Sequence, residues 1–215
     1  MPTKNNNTKT QAPKKELTLL QKLEQRARRR ELDKFSKESM NWFRKNVQTM
    51  GGQITRDTLI KDQTNRGMNL KRSPGIGFMY SFVYDAKHKA TLPYFDAFPL
   101  IIMIGPAEGG FYGLNLHYLP PQLRAGLFDK LLEITNNKRY DNKTKFQVSY
   151  SILKATQSYK AFKPCFKHYL ASQLRTDIIK IGADEWEAAL FLPTASFQGA
   201  VNSKVWSDSV QSIGK

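Results

Sequence analysis

The chain has 215 residues, with 34 Lys and Arg against 18 Asp and Glu and a formal net charge of +16. A hydrophobic content of 40% with 12% aromatics excludes a chain disordered throughout, and a single cysteine, Cys165, excludes an intramolecular disulfide. The longest apolar run, Phe98 to Ile104, contains Pro99 and falls far short of the about 20 residues that a transmembrane helix needs.

The N-terminal segment, Met1 to Asn7, has no apolar stretch of the kind a secretory signal carries. With one cysteine, the expectation is a soluble protein made in a reducing intracellular compartment. Charge is unevenly placed. Residues 1–72 hold 18 Lys and Arg against 7 Asp and Glu, while residues 73–215 hold 16 against 11. A basic arm on a more neutral body usually meets a polyanion, most often nucleic acid; the plainer alternative is a solvated tail that keeps the protein soluble.

Residues 1–15 are mostly Asn, Thr, Lys, Gln and Pro, cannot bury enough to offset ordering entropy, and are expected to be disordered. Residues 16–48 contain no Gly or Pro and predict one long helix, with apolar positions at Leu17, Leu20, Leu23, Ala27, Leu32, Phe35, Met40, Phe43 and Val47. The stripe slips phase at Gln25-Arg26-Ala27-Arg28-Arg29-Arg30, leaving that turn polar on nearly all sides and facing solvent or a ligand. Gly51-Gly52 supplies a stop. Residues 53–74 end in Lys71-Arg72-Ser73-Pro74 and read as a linker that a partner could order. The chain thus divides into a tail (1–15), a basic helical arm with linker (16–74) and a globular α+β domain (75–215) with its core in residues 75–210.

The character changes at Gly77. Phe78 to Tyr84 is aromatic and β-branched and predicts a strand, with Phe78, Tyr80, Phe82 and Tyr84 on one face and Met79, Ser81 and Val83 on the other. Leu92 to Pro99 is a proline-punctuated loop. Leu100 to Ile104 is a second strand, apolar on both faces; Gly105 to Gly110 is a turn; Phe111 to Tyr118 is a third strand. Short turns between them suggest a small antiparallel meander or a barrel-like sheet with flanking helices. A helix is expected over 121–135, with Leu123, Leu127, Leu131 and Ile134 as its stripe, and Phe146 to Leu153 reads as strand then helix. Pro164 to Leu174 predicts a helix, Ile178 to Ile181 and Trp186 to Leu192 a hairpin pair, and Ser203 to Ser212 a terminal helix.

Chemistry-bearing residues are sparse. Cys165-x-x-His168 could place two metal ligands one helical turn apart, but the second pair of a structural zinc site is missing. Proximity of Cys165 to His168 does not make an activated thiol. Asp184-Glu185-x-Glu187 and Asp85-x-Lys87 offer fragments of a metal-dependent nuclease, without the clustered acids such an enzyme requires. Gly105-x-x-x-Gly109-Gly110 lacks the Gly-Lys-Ser/Thr ending of a phosphate loop. Nine aromatics between Tyr80 and Tyr118 could stack single-stranded bases, but core filling is the stronger reading. No catalytic residue, metal or cofactor is expected.

Five blocks carry a resemblance: Met79 to Lys89, Leu92 to Leu100, Gly110 to Pro120, Phe162 to Leu170 and Asp184 to Pro193. Together, over roughly residues 76–210, they resemble the DNA end protector, a head-completion protein family of T-even-like tailed phages. The resemblance implies a non-catalytic virion protein at the head or neck, made in the host cytoplasm. It would bind packaged double-stranded DNA near its ends and block host exonuclease. It carries no residue-level site. From charge alone, the DNA-binding residues are Arg26, Arg28, Arg29, Arg30, Lys71 and Arg72. The alternative is a neck or baseplate adaptor whose basic helix packs on acidic neighbours.

Overall fold

The computed structural model describes residues 17, 19–33, 36–49, 76–126, 160–182, 185–195 and 197–213. The expected tail (1–15), the linker with Lys71 and Arg72, and all of residues 127–159, with the second half of the expected 121–135 helix and the Phe146 to Leu153 element, lie outside them.

The chain is α+β. Five strands, β1 (Met79–Ser81), β2 (Leu100–Ala107), β3 (Gly110–Asn115), β4 (Phe166–Leu170) and β5 (Ile179–Ile181), form an antiparallel sheet in the order β4-β3-β2-β1-β5. The three-strand meander expected from sequence is β1 to β3; β4 extends it beyond β3, and β5 is added on the far side of β1. The strands lie in an open row rather than a barrel.

Alternation explains why this sheet is buried on both faces. Met79, Leu100, Ile102, Ile104, Leu114 and Ile181 point into one apolar cluster; Tyr80, Ile101, Met103 and Phe111 point into another. The pairings Met79↔Ile102 and Tyr80↔Ile101 keep each face with itself. Although only 79–81 pairs as a strand, the alternation continues: Phe82 and Tyr84 join the second cluster and Val83 the first. The second cluster centres on Tyr169, whose ring lies 5.0–5.6 Å from those of Phe82, Tyr84 and Phe111. Core filling is thus what most of the aromatics do.

Two expected elements differ. Pro164 to Leu174 is not a helix but a 3-10 turn (Lys160–Cys165), β4, and a second 3-10 turn (Ala171–Gln173). Phe166, Leu170 and Leu174 are four apart, which is one helical turn but also two strand periods. The strand wins because Gly110 lets β3 and β4 approach closely: a Cβ there would sit 1.7 Å from the Tyr169 carbonyl oxygen. Trp186 to Leu192, expected as a hairpin strand, is mainly the helix α3 (Trp186–Phe191). Its Glu-Ala-Ala-Leu run favours helix, and Trp186 Nε1 donates to the Ile181 carbonyl at the end of β5. The terminal helix α4 (Asn202–Ile213) forms as expected, and residues 121–126 are helical. The hairpin turn is tighter than expected, because β2 runs on to Ala107 and β3 starts at Gly110, and the third strand ends early in a 3-10 turn at Leu116–Tyr118.

The arm also differs. Instead of one helix over 16–48, the described residues form α1 (Leu19–Arg28) and α2 (Lys37–Thr49). Leu20, Leu23, Met40, Phe43 and Val47 are buried in the same cluster as Ile102 and Leu114. The core therefore reaches beyond residues 75–210. The ring of Phe43 meets that of Phe98 edge-on at 6.1 Å.

Truncating Phe43 to Ala should destabilise the whole protein by about 3–5 kcal/mol, in line with other buried Phe→Ala changes. Urea unfolding followed by near-UV signal tests this; a loss below about 0.5 kcal/mol would mean that the helices are not part of the cooperative core.

Candidate nucleic-acid interface

The arginine turn is where α1 ends. The Glu31 amide donates to the Arg26 carbonyl (3.0 Å) and the Arg30 amide to the Ala27 carbonyl (2.9 Å). These two bonds are the pair that closes a helix when the residue after its cap turns left-handed. Arg30 has φ +58° and is the one non-glycine residue with positive φ among the described residues. Glycine is the usual occupant of that position, since a side chain there costs about 1–2 kcal/mol. α2 then starts afresh: the Ser36 hydroxyl accepts from the Ser39 amide (3.1 Å), and the Ser36 carbonyl accepts from the Met40 amide (3.2 Å). Glu38 sits in the first turn, where hydrogen bonds from backbone and from Ser36 hold its carboxyl below the usual range.

The turn presents its cations unequally. Arg28 and Arg29 side chains are 78% and 71% exposed. Arg28 Nη2 lies 3.4 Å from Glu24, and Arg29 Nη1 lies 4.0 Å from Glu31. Exposed pairs of this kind contribute about 0–1 kcal/mol, so a phosphate can replace the carboxylate at little cost. Arg30 is exposed and makes no ion pair among the described residues. Arg26 is held differently: its Nε donates to Glu31 at 2.9 Å, and its guanidinium lies 5.6 Å from the centre of the Trp42 ring. It joins α1 to α2 and acts as a brace as much as a contact. Of the six residues chosen from charge, these four come together; Lys71 and Arg72 lie outside the described residues.

Cations in the body are sorted by burial, which sequence reasoning missed. Arg124 is buried; its Nε donates to the Leu119 carbonyl (2.8 Å), its Nη2 to the His117 carbonyl (3.1 Å) and to the Thr194 hydroxyl (2.6 Å). Burial lowers its pKa to about 10. Arg175 and Lys89 are both bonded to Asp85, at 2.7 and 2.9 Å, and these partners, Arg175 first, hold the Asp85 carboxyl below its ordinary value. The two cations share one carboxylate, so the trio keeps a single positive charge held in place against Asp85. Pro121 and the apolar stripe from Leu123 pointed to the helix that places Arg124, but nothing in the sequence marked its burial.

The acid and thiol fragments do not assemble. Asp85 is taken up by Arg175 and Lys89, Asp184 lies outside the described residues, and Glu187 is on α3. Cys165 is buried, and burial pushes its thiol up to about 12, so it stays protonated. His168 is exposed on β4, with Nε2 2.8 Å from the Glu108 carbonyl, and does not converge on Cys165. His117 is buried, with Nδ1 2.8 Å from Asp96. Among the described residues, no group of three or more His, Cys, Asp or Glu is arranged to hold a metal ion, and no helix is long and apolar enough to cross a membrane.

The model of a family described as the phage T4 terminal DNA protecting protein matches residues 2–210. The matched span takes in the basic first third as well as the sheet. No curated protein and no solved structure matches the chain.

Exchanging Arg30 for Gly should raise stability by about 1 kcal/mol, because glycine removes the left-handed penalty. The same exchange should lower duplex-DNA affinity and reduce the salt slope by about 0.9, the share of one phosphate contact. Urea titration and binding isotherms at several salt concentrations read the two effects separately; a stability loss would contradict the reading of the turn.

Proposed function

Because the chain belongs to the family of the phage T4 terminal DNA protecting protein, we propose that it binds packaged double-stranded DNA near its ends and shields them from host exonuclease during head completion. The observation that supports this most directly is the exposed arginine turn. Three consecutive arginines project from a helix end at a position where glycine would be more stable. Strain of that kind collects where a conformation serves function.

The mechanism is electrostatic and non-catalytic. Arg28, Arg29 and Arg30 replace condensed counterions on the phosphate backbone, Arg26 braces the turn through Trp42, and Lys71 and Arg72 extend the contact. Such binding tolerates any sequence, since phosphates carry no base identity. The folded body then occupies the space that an exonuclease needs at a terminus. The protein acts at the head or neck of the particle, beside other virion proteins, after assembly in the host cytoplasm.

The decisive experiment is exonuclease digestion of linear duplex DNA with and without the protein. Linear DNA should survive, and R28Q/R29Q/R30Q, which removes the charge without setting new acids beside Glu24 and Glu31, should abolish protection while shifting thermal unfolding little. With about six phosphate contacts, affinity should fall by about 10³ between roughly 50 and 200 mM salt. Equal digestion rates with and without wild-type protein would overturn the proposal.

A further inference from the structure

Beside the sheet lies a cleft of about 770 Å³, within the range of roughly 300–1,000 Å³ typical of small-ligand sites. One wall is the segment from Ala86 to Asp96; the other is formed by Glu108, Gly109, Tyr118 and the β4 residues from Lys167 to Leu170. Its chemistry is aromatic and cationic together. Tyr94 and Phe95 are partly buried along it, and Tyr118 is buried behind them. Lys167 Nζ lies 4.0 Å from the centre of the Tyr118 ring. Lys87 and His88 are exposed and make no ion pair among the described residues. At the rim, His168 lies beside Tyr112, which is 37% exposed and stacked on Phe166 at 5.3 Å.

We propose that this cleft takes one unpaired nucleotide from the DNA terminus, with the base against the tyrosine wall and the phosphate at Lys87 and Lys167. The inference rests on the end-binding reading above and adds the site that distinguishes an end from continuous duplex. Two carboxylates face the cleft. Asp96 is already engaged by three hydrogen bonds from Phe98, Asn115 and His117. Glu108 can accept from the exocyclic amine of a base. The lining is thus formally balanced, two lysines against two carboxylates; with Asp96 occupied by its donors and Glu108 by the base, Lys87 and Lys167 are left to the phosphate.

Size and stacking make the site selective. A cleft of this volume holds a single nucleotide, and laying a base on the aromatic lining requires a base face that no neighbouring base covers. Freeing a nucleotide is cheapest at a terminus, where the base has only one stacking neighbour. A base laid on an aromatic side chain recovers part of that cost without reading sequence. The arginine turn would supply affinity for any duplex, and the cleft would supply the preference for ends.

The test uses the full chain and one duplex in two forms, with open ends and with both ends closed by hairpin loops. A fluorescent base analogue is placed either at the terminus or in the interior. Open-ended DNA should bind about tenfold more tightly, the affinity equivalent of one stacked base. The terminal analogue should be quenched and the interior one unchanged. K87E/H88E changes only exposed loop residues and should remove both the preference and the quenching while closed duplex still binds. Y94A, which removes a partly buried ring that lines the cleft, should weaken the quenching. Equal affinity for open and closed duplex with an unchanged terminal signal would sink the cleft proposal and leave end shielding by the arginine turn standing. Failure to bind either duplex would overturn both.

Discussion

The buried carboxylate of Asp96 accepts three hydrogen bonds: from the Phe98 amide (2.9 Å), from the Asn115 side chain (3.0 Å) and from Nδ1 of His117 (2.8 Å). Asn115 also donates to the Tyr169 hydroxyl at 3.0 Å, and its own carbonyl oxygen caps the 3-10 turn by accepting from the His117 amide. One acidic side chain thus ties the loop before β2 to the end of β3 and to the aromatic cluster on β4. A buried charge is tolerated only when its lone pairs are satisfied in this way. Phe98, fixed by Asp96, is the ring against which Phe43 packs, so the seating of α2 depends on the same carboxylate. Asp96 also lines the cleft, which places the two candidate contact regions on one connected framework.

Net charge alone is a poor guide to where this protein meets an anion. Arg124 is consumed by two carbonyls and a hydroxyl in the interior, and its guanidinium lies 5.6 Å from the centre of the Trp206 ring. Arg175 and Lys89 share the one carboxylate of Asp85, which offsets one of their two charges and pins both side chains. What remains available is set by exposure and by the weakness of the local ion pairs. The turn at Arg28 to Arg30 meets both conditions, since its carboxylate partners Glu24 and Glu31 are themselves solvent-facing.

A good part of this architecture was legible in the residues. The unbroken apolar run from Leu100 to Ile104 implied burial on both faces, and the two clusters flanking β2 are that burial. Alternation from Phe78 to Tyr84 assigned each side chain to its face. The concentration of basic residues in the first third marked the turn at Arg26 to Arg30. The end of α1 was visible as a phase slip, but not as a stop: the left-handed cap is occupied by arginine instead of glycine, so the usual punctuation was missing, and Ser36 as the next N-cap was overlooked.

By itself the sequence determined local periodicity, the uneven charge and the family blocks, because each is a property of neighbouring residues. Only the tertiary structure decided the rest. Whether Phe166 to Leu170 became helix or strand depended on Gly110, more than fifty positions away. Which cations stayed free depended on carbonyls and carboxylates brought from distant segments, and the cleft exists only because the 86–96 loop folds against β4. A spacing of four residues fits a helix turn and two strand periods alike, and contacts between remote segments, which no local pattern encodes, choose between them.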